Sequence, residues 1–210
     1  QVNFIQYWLT MQYHPSTVQT STSTRLGTVR LAASPQGLVG LWFDGQRHQP
    51  AQLDGPHAWP QDPHHPVLVA AIEQLHQYLR GERTGFELPL DLAGGTPFQQ
   101  DVWRALLSVG CGHTTSYGAL SQQLGRPAAV RAVGAAVGRN PVSVVVPCHR
   151  VLGRDGSLTG YAGGLERKAA LLQLEGALPS EPEKRATQPE HAHAKAQPTG
   201  RAKAPAKAAA

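Results

Sequence analysis

Cys148 and His149 stand side by side in the run Val144-Val145-Val146-Pro147-Cys148-His149-Arg150-Val151, just after Asn140-Pro141. A thiol beside an imidazole has the parts of an activated nucleophile, because the thiolate is the reactive form and a neighbouring base can draw off its proton. The β-branched trio predicts a buried strand. Pro147, with no N–H to give to a ladder, predicts that strand's end. Taken alone, a cysteine is more often an inert core residue than a nucleophile. What sets Cys148 apart is its company at fixed spacing. Thr115-Ser116-Tyr117 lies upstream, and Arg131-Ala132-Val133-Gly134 begins fourteen residues after Tyr117. Asn140-Pro141 and the cysteine run come next, then Gly160-Tyr161-Ala162-Gly163-Gly164-Leu165, and Leu174-Glu175-Gly176 closes the array.

The elements that must position these residues follow from periodicity and capping. Thr96 predicts a helix N-cap with Pro97 at the first position, and Phe98, Val102, Ala105, Leu106 and Val109 form the buried face. Ser116 predicts the cap of a second helix, roughly Tyr117 to Leu124. Gly125-Arg126-Pro127 is a turn, and Ala128 to Val137 a third helix. Two short helices joined by a glycine-containing turn read as a helix-turn-helix. An amphipathic helix from about Leu165 to Leu174 ends at Gly176. Upstream, residues 15–24 are rich in Ser, Thr and Gln and read as a linker, so residues 1–22 form an N-terminal extension and linker. Gly27 to Ala32 and Leu38 to Phe43 read as strands around a Ser34-Pro35-Gln36-Gly37 turn. After a Pro/His/Gln-rich loop from Gly45 to Pro66, Leu68, Ile72, Leu75 and Leu79 share one helical face. Phe86, Leu88, Leu90 and Leu92 alternate as in an edge strand. The division is therefore an α/β unit over residues 23–95, a mainly helical unit over 96–176, and a tail over 177–210. The first unit carries no chemistry that the sequence identifies.

A helix that reads DNA bases in the major groove carries long polar side chains. Ala128 to Gly138 instead holds small residues and one long cation, Arg131. Such a helix suits close approach to the minor groove, about 6 Å wide. The alternative is that its Ala and Gly residues only permit tight helix packing. Arg131 weighs against that, because a long cation in mid-run needs a partner or solvent. Tyr117 could equally be a helix-start aromatic packed on its own domain. Glu175 could be a solvated helix end, although a helix C-terminus is a poor place for an anion without a specific partner.

Composition narrows the partners only a little. The chain has 210 residues and a formal charge of +5. Six Lys/Arg against three Glu in residues 177–210 place +3 of that charge in the tail, which is too poor in large apolar residues to fold. The rest is mildly basic, which favours a polyanionic partner weakly. Cys111 and Cys148 give no disulfide framework and suit a reducing compartment such as the cytoplasm. No stretch approaches the about 20 apolar residues of a membrane span. The apolar start, Gln1 to Gln12, has no basic leading region and no clear cleavage site, and does not read as a signal peptide.

The run Pro147-Cys148-His149-Arg150-Val151, with the matches around it, resembles the acceptor site of the O6-alkylguanine-DNA alkyltransferases. The resemblance is specific over residues 96–176 and loose over 23–95. It implies an α/β N-terminal domain, a small antiparallel sheet with helices, followed by a mainly α C-terminal domain with a winged-helix-like helix-turn-helix. It implies a monomer that needs no cofactor and takes double-stranded DNA containing O6-alkylguanine through the minor groove. The base must leave the stack, since a buried thiol cannot reach a stacked O6 atom. The alkyl group then passes irreversibly to Cys148, one per molecule. In that reading Glu175, His149 and a bridging water activate Cys148, and Asn140 supports the active-site turn. Arg131 fills the gap left by the extruded base, with Ala132, Gly134 and Ala135 against the groove. Tyr117 contacts the neighbouring phosphate and the purine edge, where it can protonate the leaving base. Val151 and Cys148 offer backbone carbonyls to the exocyclic amine, and Tyr161, Ala162 and Gly163 close over the base. Arg150 serves structure.

Departures bear on the rest. Some relatives carry serine where this chain has Ala162, so any contact there falls to the backbone N–H. Some bind zinc near the N-terminus, but no cysteine precedes Cys111, and His57, His64 and His65 read as solvated loop residues, so no metal is expected. Two rivals remain from the sequence. A non-catalytic lesion binder would keep Tyr117 and Arg131 and lack the nucleophile. A cysteine hydrolase would need an oxyanion hole and leave Arg131 unexplained.

Overall fold

A computed structural model describes residues 11–178, so the expectations for residues 1–10 and 179–210 lie outside the described residues. Three strands, β1 (Val18–Thr24), β2 (Gly27–Ser34) and β3 (Gly37–Phe43), form an antiparallel meander in the order β1-β2-β3. Both faces of the sheet are covered. Val29, Leu31, Leu38, Leu41 and Phe43 enter the main core, while Ala32, Val39 and Trp42 pack with Leu53 and Trp59 on the other side. That double burial explains why β3 is apolar along its whole length rather than alternating. The hairpin between β2 and β3 is fixed by Gly37, whose φ is +151° and whose missing Cβ leaves room for the Pro89 carbonyl.

Helix α1 (Pro66–Leu79) lies against the main-core side of the sheet and buries Leu68, Ala71, Leu75, Tyr78 and Leu79. Helix α2 (Pro97–Leu106) starts with the expected Thr96 cap, extended to a capping box with Gln99. Strand β4 (Thr115–Ser116) leads directly into helix α3 (Tyr117–Gln123), where the Ser116 hydroxyl accepts from the Ala119 N–H. A 3₁₀ turn, Pro127–Ala129, precedes helix α4 (Val130–Gly138). Trp103 fastens α2 to α4 by donating its indole N–H to the Ala136 carbonyl, 2.9 Å away. After the turn that carries Cys148, strand β5 (Val151–Leu152) pairs in parallel with β4, and helix α5 (Leu165–Leu174) closes the described fold. One contiguous core runs through both halves and includes Cys148.

The fold class is as expected, an antiparallel sheet with a helix followed by a helical unit with a helix-turn-helix. Four local expectations are corrected. Residues 18–24 are not a linker but strand β1, in register with β2 from Val18↔Ala33 to Thr24↔Gly27. Val18, Thr20, Thr22 and Thr24 alternate as β-branched residues, and that alternation outweighs the polar composition. The Gln19 amide reaches the carbonyls of Leu53 and Trp59, which makes a buried polar residue affordable in the strand. Phe86 to Leu92 is not an edge strand. Only Leu90 bridges, to Leu38, because Pro89 can offer the Leu38 N–H its carbonyl but has no N–H of its own. The third helix begins at Val130, because Pro127 holds the preceding residues in the 3₁₀ turn.

The fourth correction concerns the valine trio, which forms a buried turn rather than a strand. Val144 has φ +72°, a left-handed conformation that is costly for a β-branched residue. The Val146 N–H folds back to the Val142 carbonyl at 2.9 Å. Ladder partners come instead from β3: the Leu41 N–H donates to the Pro141 carbonyl, and the Leu41 carbonyl accepts from the Ser143 N–H, each at 2.9 Å. The turn is thus pinned to the edge of the N-terminal sheet. Cys148 sits not at a strand end but at the start of a one-turn 3₁₀ helix, Cys148–Arg150.

Candidate active site

Asn140 organises the turn. Its side-chain carbonyl accepts from the Val142 N–H at 3.0 Å, and its amide donates to the Val146 carbonyl at 2.8 Å and to Cys148 Sγ at 3.0 Å. One fully hydrogen-bonded side chain therefore holds both the strained segment and the thiol. Cys148 is 4% exposed. Burial raises its pKa to about 11, against the opposing pull of the Asn140 hydrogen bond and the Lys168 charge. At neutral pH the resting group is a thiol that needs a base.

His149 follows on the same 3₁₀ turn with no exposed surface. Its Nε2 lies 2.8 Å from Glu175 Oε1. A carboxylate only accepts, so the imidazole proton sits on Nε2 and Nδ1 carries the lone pair. Nδ1 is buried and has no partner among the described residues, which leaves it as the basic nitrogen. Burial lowers the His149 pKa and outweighs the raising effect of Glu175, so the ring is a neutral base.

Glu175 caps the C-terminal end of α5, and its carboxylate is fully buried. Arg150 grips both oxygens, Nε to Oε2 at 2.9 Å and Nη2 to Oε1 at 2.8 Å, in the fork geometry that suits guanidinium and carboxylate. The Tyr78 hydroxyl donates to Oε1 as well. Burial alone would raise the Glu175 pKa; the hydrogen bonds from His149, Arg150 and Tyr78 overcome it and hold the group at about 2. Glu175 is therefore not a solvated helix end but a permanent anion set against the imidazole.

Lys168 on α5 is also fully buried, and its ammonium donates to the carbonyls of Val151 and Thr159, the latter at 2.6 Å. Burial lowers its pKa to about 8. It is a cation near the thiol and ties β5 to the loop ahead of Gly160.

Tyr117 opens α3 and lies against α4: a Cβ at Gly134 would sit 3.7 Å from its ring. Its hydroxyl is 3.3 Å from the Gly160 carbonyl oxygen, which links the helix-turn-helix to the 160–164 loop. On α4, Val133, Ala136 and Val137 face the core, while Arg131, Ala132 and Ala135 are exposed and Gly134 half-buried. The small residues thus serve both purposes, close packing on one face and an open small-residue surface carrying Arg131 on the other. Arg131 makes no hydrogen bond or ion pair among the described residues. Tyr161, Ala162 and Gly163 line an open cavity of about 590 Å³ with Arg47 and Arg167; Tyr117 and Val151 do not line it. No group of three or more His, Cys, Asp or Glu residues that could hold a metal occurs among the described residues.

The structure therefore gathers Cys148, His149, Glu175 and Asn140 into one buried network. It adds Arg150, which the sequence assigned to structure, and two side chains, Lys168 and Tyr78, that the sequence did not mark out for this site. Arg150 is structural through its grip on Glu175. Lys168 had a signal, since with Leu171 and Leu172 it falls at i, i+3, i+4 on the buried face of α5. Tyr78 had none, because an aromatic beside Leu75 and Leu79 reads as ordinary core.

Comparison with known proteins agrees with this geometry. Residues 17–92 match the family model described as 6-O-methylguanine DNA methyltransferase, ribonuclease-like domain, and residues 97–177 match the DNA binding domain of the same family. A methylated-DNA--protein-cysteine methyltransferase of Mycobacterium tuberculosis is 46% identical over 150 residues, 71% of this chain and 87% of that protein. One from Salmonella typhimurium is 55% identical over 106 residues, 50% of this chain and 62% of its own. The crystal structure of Mycobacterium tuberculosis OGT in complex with DNA superposes with a TM-score of 0.68 at 43% identity, covering 76% of this chain and 93% of that one. With both family models and a relative of this identity and coverage in agreement, the chain belongs to the 6-O-methylguanine DNA methyltransferase family.

Proposed function

We propose that this protein repairs duplex DNA directly, by turning O6-alkylguanine out of the helix and moving the alkyl group onto Cys148. One observation carries the reading: a buried thiol shares a helical turn with a neutral imidazole whose Nε2 is tied to a buried anion and whose Nδ1 is left as a base. In the reaction the Cys148 proton passes through a bridging water to His149 Nδ1, and Glu175 stabilises the imidazolium. The thiolate forms a carbon–sulfur bond with the alkyl carbon as the carbon–O6 bond breaks. The electron pair leaves with the purine, which takes a proton at its ring edge from the Tyr117 hydroxyl. Asn140 holds the sulfur in place throughout. The thioether has no bond that water cleaves readily, so each molecule reacts once. Intact mass after incubation with O6-methylguanine DNA is expected to rise by one methyl group, localised to Cys148. Bound DNA with an unchanged mass would instead indicate a lesion binder.

The exposed face of α4 meets the minor groove, with Ala132, Gly134 and Ala135 close to the backbone and Arg131 in the vacated stack. The base is received between Tyr117, the Val151 carbonyl and the Tyr161-Ala162-Gly163 loop. Residues 23–95 and 96–176 act as two domains of one cytoplasmic monomer, although strand β1 extends the first of them back to Val18. No helix among the described residues is long and apolar enough to cross a membrane.

Arg131→Ala is expected to slow repair of duplex DNA at least tenfold more than it slows reaction with free O6-benzylguanine. A free base needs no extrusion, so a plug for the stack is irrelevant to it. Equal slowing on both substrates would assign Arg131 to packing; its exposure argues for the first outcome.

A further inference from the structure

The N-terminal half contributes a side chain to the reaction network. Tyr78 lies on α1, 97 residues before Glu175, and is 1% exposed. Its ring packs on Phe86 with centroids 5.2 Å apart, and its hydroxyl reaches Oε1 of Glu175. That same oxygen faces His149 Nε2 and Arg150 Nη2. A hydrogen bond donated to a carboxylate withdraws part of its charge, so what Tyr78 takes is lost to the imidazolium. Burial, then the adjoining Glu175 anion, push the phenol pKa well up, so the hydroxyl stays a neutral donor.

We propose that Tyr78 is a positioning residue for alkyl transfer, acting through Glu175: its hydroxyl fixes the carboxylate and tempers the basicity that Glu175 confers on His149. The proposal rests on the reading of Cys148, His149 and Glu175 as the activating relay. The other titratable groups facing this cluster are Arg150 on the 3₁₀ turn, Lys168 on α5, Cys111 before β4, and Tyr161 in the 160–164 loop. All remain in place when only the Tyr78 hydroxyl is removed.

The test is the pH dependence of the single-turnover rate with O6-benzylguanine for wild type, Tyr78→Phe and Glu175→Gln. Phenylalanine keeps the ring and drops the donor. A less tempered carboxylate raises the His149 pKa and stabilises the thiolate pair at lower pH. The Tyr78→Phe profile is therefore expected to move about half a unit to lower pH, about a threefold rate gain on the rising limb. Glu175→Gln moves it the other way. A Tyr78→Phe profile that superimposes on wild type, moves to higher pH, or falls evenly at all pH without moving overturns the proposal. If Glu175→Gln moves the profile in that case, the relay stands and Tyr78 alone is dismissed. If neither variant moves it, the relay reading falls too.

Discussion

Cys148→Ala is expected to take up no alkyl group from O6-methylguanine DNA while duplex affinity changes less than tenfold. Cys148 is the only nucleophile in the buried network, and the thiol is almost without surface. In the proposed docking, contacts to phosphates and groove come from the exposed face of α4, and contacts of that kind set affinity. A loss above tenfold would assign more than about 1.4 kcal/mol of binding to the thiol, which has almost no surface to make it. Alanine also removes the sulfur that Asn140 holds, but the Asn140 bonds to Val142 and Val146 remain to support the turn. Intact mass and a fluorescence binding titration measure the two halves of this expectation separately.

Glu175→Gln is expected to slow thiol alkylation at pH 7 by about tenfold or more and to move its profile to higher pH. The sign follows from the charges. Burial already lowers the His149 pKa, and Glu175 is the one group raising it. Without that anion the imidazolium is less stable, so thiolate forms only as the pH approaches the thiol's own value of about 11. Hydrogen bonds to charged groups contribute about 1.5–3 kcal/mol, and 1.4 kcal/mol is one unit of pH, which gives the scale. Glutamine also leaves the Arg150 guanidinium without its counter-charge. Breaking such a pair on one side costs about 3 kcal/mol or more, so melting is expected to fall by roughly 6 °C or more. Rates measured well below that transition separate chemistry from unfolding. An unmoved profile with an unchanged rate would reduce Glu175 to an ion-pair partner of Arg150.

What the sequence disclosed depended on how local each signal was. Thr96-Pro97 and Ser116 announced their helices because capping is settled within four residues, and both caps form. Cys148 and His149 stood out as a neighbouring thiol and imidazole, whereas Asn140 and Glu175 were legible only through resemblance to the family's motif array; all four converge in one network. Val144 to Val146 misled, because β-branched residues favour strands only where the chain can run straight. Here Asn140 and two prolines fold it back, and tertiary contacts carry the cost of a left-handed valine. Strand β1 was hidden by its serines and threonines, whose alternation counts for more than their polarity. Lys168 and Tyr78 lay on helix faces where only the folded neighbours distinguish a reactive environment from plain core.

The pairing of β3 with the active-site turn limits how far this protein can be miniaturised. A polypeptide cut to residues 97–177 would retain every motif residue, from Tyr117 to Glu175. It would also strip the Pro141 carbonyl and the Ser143 N–H of their Leu41 partners, and the Ala162 carbonyl of the Arg47 N–H. Water would have to satisfy groups that are buried in the native turn, beside a valine that has no local reason to stay left-handed. Such a fragment could hold its helices and still let the nucleophile's loop relax. The first half of the chain is in this sense the mould in which the second half's active site keeps its shape.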